Sequence, residues 1–201
     1  MARERLILAS SSPRRLALLG QLGLEPEVFT VDVDETPAAG EGPEALVRRL
    51  ARAKARAAGT PPPGSVILAA DTVIDLDGRV LGKPRDRDDG VAMLLALGGR
   101  EHRVVTGLCL ARALGGGRTP GRERIAVHTL AVATRVRFGR VDADAAARYW
   151  DSGEAAGKAG GYAIQGRGAR FVAGIVGSYS NVVGLPLHES ARLLGAAGLR
   201  V

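Results

Sequence analysis

An α/β fold is predicted by the way the chain alternates. Short apolar runs are followed by stretches with Leu and Ala at helical spacing, and Ser, Pro and Gly mark most of the junctions. Two stretches carry this reading best: an apolar strand that runs through a hydroxyl-rich turn into a Leu-rich helix at the start, and an apolar hairpin interrupted by Asp71. A length of 201 residues suits one domain, or one domain with two lobes, and is enough to bury a proper core. Aromatics make up only 3%, so that core must be Leu, Val, Ile and Ala, and stacking on single-stranded nucleic acid is disfavoured.

Residues 6–9 read as a buried strand. Ser10, Ser11, Ser12, Pro13, Arg14 and Arg15 follow, then a helix over 13–23 with Ser12 as N-cap, Pro13 at its first position and Gly23 as its stop. Strand, polar turn and helix N-terminus form an anion-binding geometry. Capping explains Ser12 and Pro13. It does not explain Arg14 and Arg15 in the first turn, where the helix dipole disfavours cations, and this favours a phosphate ligand. The Gly-x4-Gly-Lys pattern of a Walker A loop is missing.

A second strand is expected over 27–33, ending at Asp34 and Glu35, two acids that could hold a divalent metal or simply face water. The next helix spans 43–58, with Ala45, Leu46, Arg49, Leu50, Ala53 and Ala57 along one side and Lys54 on the flank of that stripe. The Pro-rich segment 60–64 stops it.

The stretch 66–84 organises the rest. Five apolar residues lead to Asp71, and the chain turns at Asp77-Gly78 in a hairpin and returns to Gly82-Lys83-Pro84. Burying a bare carboxylate costs several kcal/mol, so Asp71 needs a cation, a metal or a role as a base. Lys83 could approach it if the hairpin pairs its two ends; a structural ion pair is the plain alternative.

A helix over 88–97, strands over 101–113 and 125–138 joined by a Gly- and Arg-rich connection at 114–124, and a helix over 142–150 read as scaffold. Residues 152–169 hold six glycines, which let backbone approach a ligand closely, and present Glu154, Lys158 and Gln165. Tyr162, Ile164 and a strand over 170–176 argue for an ordered loop. A turn and a last helix over 187–194 complete the chain.

The net charge of +7 attracts polyanions, with nucleotide phosphates among them, although Arg-rich composition accounts for it equally well. One cysteine, Cys109, excludes an internal disulfide and sits in an apolar run. The three histidines lack metal-ligand spacing. No signal peptide or membrane span is legible, so a soluble cytoplasmic protein is expected.

Seven motifs occur in order: Leu-Ala-Ser-Ser-Ser-Pro-Arg-Arg at 8–15, Asp-Glu-Thr-Pro at 34–37, Leu-Ala-x-x-Lys-Ala at 50–55, Ala-Asp-Thr-Val at 70–73, Gly-Lys-Pro at 82–84, Lys-Ala-Gly-Gly-Tyr-Ala-Ile-Gln-Gly at 158–166 and Ser-Asn-Val-Val-Gly-Leu-Pro-Leu at 180–187. Together they resemble the Maf family of nucleoside triphosphate pyrophosphatases. The resemblance implies a single Maf-like domain over 1–201 with an extended mixed sheet flanked by helices, and two lobes with a central cleft, related to the inosine triphosphate pyrophosphatases. It implies Asp71 as proton acceptor, with Glu35, Lys54 and Lys83 as further catalytic groups and Ser10, Arg14, Arg15, Thr72 and Gln165 as substrate contacts. Glu35 and Asp71 would hold Mg²⁺ or Mn²⁺. Arg14, Thr72 and Gln165 match the branch acting on dTTP and UTP; the 7-methyl-GTP branch has an aromatic, Gln and Glu there. Ala155-Ala156-Gly157 departs from the Pro and acid usual before Lys158. A homodimer acting on nucleotides, with neither nucleic acid nor membrane as partner, completes the expectation. A purine or broad specificity, or a non-catalytic nucleotide-binding regulator of division, are the alternatives.

Overall fold

A computed structural model describes residues 5–114 and 124–201. Among the described residues, seven strands form one mixed sheet: β1 (Arg5–Ala9), β2 (Glu27–Val28), β3 (Ser65–Leu76), β4 (Arg79–Leu81), β5 (Glu101–Leu114), β6 (Arg124–Phe138) and β7 (Val172–Val176). Their hydrogen-bonded order is β2-β1-β3-β5-β6-β7, with β4 paired to β3. The helices are α1 (Pro13–Gln21), α2 (Pro43–Ala57), α3 (Arg87–Leu97), α4 (Ala143–Asp151), α5 (Tyr179–Val183) and α6 (Leu187–Ala196). The expected α/β class and mixed sheet are present. Most of the expected 114–124 connection lies outside the described residues.

The chain divides into two compact units, Met1–Asp71 with Thr106–Ala131 and Gly184–Val201, and Thr72–Val105 with Val132–Val183. In the first, β1 lies parallel to β2 and β3, and Leu6 to Ala9 align with Val66 to Ala69. Such parallel strands are apolar throughout because both faces are covered. One buried cluster there is built mostly of small side chains, Ala9, Ala51, Ala55, Ile67, Ala69, Cys109 and Ala111, beside larger buried residues such as Leu8, Leu46, Leu50 and Leu68. Small residues let a helix sit close on a sheet. A Cβ built on Gly107 would come within 2.2 Å of the Val47 carbonyl oxygen, so α2 rests directly on β5 at that point.

This contact corrects the expected helix face. Leu46, Val47, Leu50, Ala51, Lys54 and Ala55 are buried, whereas Ala45, Arg49 and Ala57 are exposed. The second expected strand also shrinks to two residues, and past it Asp34 Oδ1 accepts from Thr36 N at 2.9 Å in a local turn.

In the second unit, Leu and aromatic side chains fill the core. Tyr149, Tyr162, Phe138 and Phe171 pack edge to face or tilted, with ring centroids 4.8 to 6.0 Å apart. The hairpin forms as expected, with Ile74 opposite Leu81 and Leu76 opposite Arg79. Its tip is held by Asp75, whose Oδ1 accepts from Gly78 N at 2.8 Å. Residues 152–171 are ordered by short 3-10 turns at Ala159–Gly161 and Arg167–Phe171. Among the described residues no helix is long and apolar enough to cross a membrane.

Candidate active site

Three of the predicted residues meet in the first unit. Lys54 Nζ donates to Asp71 Oδ1 at 2.5 Å and to Glu35 Oε1 at 2.7 Å. Asp71 and Lys54 are only 6% and 9% exposed, while the Glu35 side chain is 39% exposed. The question that Asp71 raised at the end of its apolar run is answered by Lys54, which reaches the carboxylate from the buried face of α2. Neither charge stands alone in a low-dielectric place, and the pair offsets the desolvation each would suffer singly.

The loop that carries Glu35 is held by the same helix. Arg49 donates through Nε and Nη2 to the two oxygens of Glu41 at 2.7 Å each, and through Nη2 to the Thr36 carbonyl at 3.0 Å. Glu41 Oε2 in turn accepts from Ala38 N at 3.0 Å. The Arg49 hydrogen bonds first, and Ala38 N–H second, hold the Glu41 carboxyl down at about 2. Helix α2 therefore places Lys54 and fastens the loop opposite it.

The start of α1 supplies cations and hydroxyls. Arg15 donates through Nε to the Gly184 carbonyl at 2.8 Å and through Nη1 to Ser10 Oγ at 3.2 Å. Ser10 Oγ also accepts from Ser12 N at 3.2 Å. Ser12 occupies the N-cap position with Pro13 after it, but its hydroxyl makes no capping bond. The end of α1 is as predicted: Gly23, at φ +70°, donates to Gly20 O and Leu24 N donates to Leu19 O. No acid lies in the first turn. Burial pushes the Arg15 guanidinium below its ordinary value; Asp71 and Glu35 oppose that shift and Arg14 adds to it. Arg14 is lowered by burial as well. Two partly desolvated guanidiniums at the positive end of a helix favour a bound anion.

Thr72, Lys83 and Gln165 belong to the second unit. Thr72 is half-buried in β3, directly after Asp71, and Lys83 is exposed just beyond β4. Gly160 N donates to the Gly82 carbonyl at 2.9 Å, so the glycine-rich segment is fastened beside Lys83. Gln165 is exposed in a turn in which Gly166 N donates to Ala163 O at 3.4 Å.

Cys109 and His102 belong to the scaffold. Cys109 is fully buried, and desolvation raises its thiol to about 11. His102 is buried and lies 2.9 Å from the Tyr162 hydroxyl through Nε2. Among the described residues no three or more His, Cys, Asp or Glu gather as a metal site.

A model of the Maf-like protein family matches residues 5–197. The chain belongs to the Maf-like family. Among its relatives, this Maf-like chain is 50% identical to the dTTP/UTP pyrophosphatase of Myxococcus xanthus, over 96% of its own length and 93% of the relative's. It is 52% identical to the dTTP/UTP pyrophosphatase of Anaeromyxobacter dehalogenans, over 96% and 94%. A distant likeness joins it to the solved Ham1 protein of Staphylococcus aureus, with TM-score 0.39 and 18% identity over 68% of this chain and 74% of that one.

Sequence reasoning named Lys54 but set it on the flank of its helix, placed Arg49 on the apolar side without its role in holding the loop, and missed Gly107. A glycine inside a strand was the available sign of close backbone approach at 107. Nothing local marks Arg49, whose partner lies eight residues earlier in an irregular loop.

Proposed function

We propose that this Maf-like chain hydrolyses dTTP and UTP to the monophosphate and pyrophosphate. The observation that carries the chemistry is the buried Lys54 ammonium held between Asp71 and Glu35. A base must keep its carboxylate aimed, and the Lys54 ammonium fixes Asp71 Oδ1 in place. Asp71 accepts a proton from the water that attacks the α-phosphorus. Arg15, Lys54 and Lys83 neutralise the triphosphate and the leaving pyrophosphate, with Ser10 beside Arg15. No covalent nucleophile is required. Thr72 and Gln165, with Arg14, select the pyrimidine, because an amide and a hydroxyl match the neutral edge of uracil or thymine. The names of the relatives support this choice of substrate.

Glu35 and Asp71 fit Mg²⁺ or Mn²⁺ as a cofactor. Lys54 Nζ bridges one oxygen of each, at 2.7 and 2.5 Å, so the two carboxylates lie close enough to share a further cation, and hard cations take one or two carboxylates with substrate phosphates and water. When bound, the ion would draw charge from the phosphate oxygens. A homodimer in the cytoplasm belongs to the same reading, on the family resemblance.

The test is pyrophosphate release from dTTP, UTP, CTP, 7-methyl-GTP and ITP, with Mg²⁺ or Mn²⁺ and after chelation. Preference for dTTP and UTP is expected. Asp71→Asn is expected to lower kcat at least about 10²-fold to 10⁴-fold. Preference for a purine would retain Asp71 as base and reject the pyrimidine reading. Binding without turnover would leave the regulator.

A further inference from the structure

Glu154 was expected to be presented by the glycine-rich loop. Instead it lies inside it. Its Oε2 accepts from Arg167 N at 2.8 Å, and its Oε1 accepts from Gly168 N at 3.0 Å and from the Tyr149 hydroxyl at 2.8 Å. The same hydroxyl accepts from Ala163 N at 3.0 Å. The two flanks of the turn around Gln165 are thus tied to one carboxylate, one directly and the other through Tyr149. The glycines give an independent mark of the same construction. A Cβ on Gly166 would stand 2.3 Å from Glu154 Oε2, and one on Gly168 would stand 2.7 Å from the Tyr149 oxygen. The loop is closed so tightly around the carboxylate that side chains at these two positions have no room. Desolvation acts to raise the Glu154 carboxyl, yet the hydrogen bonds from Gly168, Arg167 and Tyr149 outweigh it and hold the group ionised.

An amide can offer its C=O and its NH₂ in either order, so Gln165 tells uracil from cytosine only if the backbone that carries it is fixed. We infer that Glu154, relayed on one side by Tyr149, is a positioning residue for base selection that fixes the turn bearing Gln165. The inference rests on the reading of Gln165 as a base-recognising group and adds the device that orients it. Glu154 touches no substrate in this scheme, and its effect passes through Gln165. Replacement by Gln keeps the volume but sets an NH₂ against donors, which breaks at least one bond.

The experiment compares kcat/KM for UTP and CTP in wild type, Glu154→Gln, Gln165→Ala and the double variant, with melting temperatures for each. Glu154→Gln is expected to lower the UTP-to-CTP ratio about tenfold, mainly through KM for UTP, with CTP changed less than about twofold. In the Gln165→Ala background the same substitution should give no further loss of ratio. Tyr149→Phe, which keeps the buried ring and removes only the relay, should move the ratio the same way by a smaller factor, and it decides the matter if Glu154→Gln does not fold. Equal losses for UTP and CTP, or full additivity in the double variant, would overturn the positioning role. A ratio unchanged in Gln165→Ala would overturn the base-recognition reading and the inference with it. A ratio changed in Gln165→Ala but not in Glu154→Gln or Tyr149→Phe would overturn the inference alone.

Discussion

The α-carbon of Gly107 faces the carbonyl oxygen of Val47 so closely that a Cβ there would lie 2.2 Å from it. Backbone, not a movable side chain, is what a substitution would strike. Two turns further along the same helix sits Lys54. Gly107→Ala should therefore push α2 outward, cost about 1–3 kcal/mol of stability and displace the ammonium from Asp71. Misplacement by an ångström is worth about 10²-fold in rate, so turnover should fall more than the melting temperature suggests. Steady-state kinetics beside a thermal melt would check this. A variant of normal rate would mean that the contact relaxes without moving Lys54.

Lys54 and Asp71 should show opposite single and joint effects on stability. Lys54→Met leaves a buried carboxylate without its cation and should destabilise by about 3 kcal/mol. Adding Asp71→Asn removes the stranded charge, so the double variant should recover much of that loss while remaining inactive. Urea denaturation of the four proteins measures the coupling. Additive losses would contradict a buried pair.

The Glu41–Arg49 clamp should survive acid. The Glu41 carboxyl sits at about 2, below its ordinary 4.5, so its contribution is complete above that ordinary value and is lost only as pH falls through about 2. Hydrogen exchange at Ala38 is expected to stay slow at pH 3. Arg49→Lys, which cannot fork onto both carboxylate oxygens, should speed it and lower activity a few-fold. Fast exchange in the wild type at pH 3 would contradict the clamp.

His102 should make the protein sensitive to mild acid. Burial lowers it from 6.5 to about 4, so the unfolded chain takes up its proton first as pH drops. Stability is then full above 6.5 and declines as pH falls through the window to about 4. His102→Phe should flatten that part of the profile while carboxylate titration persists in both proteins. Melting curves at half-unit pH steps would show it.

Much of the fold was legible because local rules and burial agree. The parallel apolar strands, the Pro13 start and Gly23 end of α1, and the Asp77-Gly78 hairpin are each specified within a few residues. The short β2 was not, since an apolar run such as 27–33 reads as a strand whether or not its second half finds a pairing partner. At the site, Asp71 announced itself as a charge in an apolar run. Glu154 did not, because an acid in a glycine-rich stretch reads the same whether it faces water or gathers three donors.

The burial of Cys109 has a practical side. The chain has one thiol, fully enclosed and raised to about 11, so reagents that need thiolate will leave it untouched. A cysteine introduced at exposed Ala169 would be the sole reactive handle on the native background. A spin label or fluorophore attached there would follow the Gln165 turn during turnover, without a cysteine-free variant having to be made first.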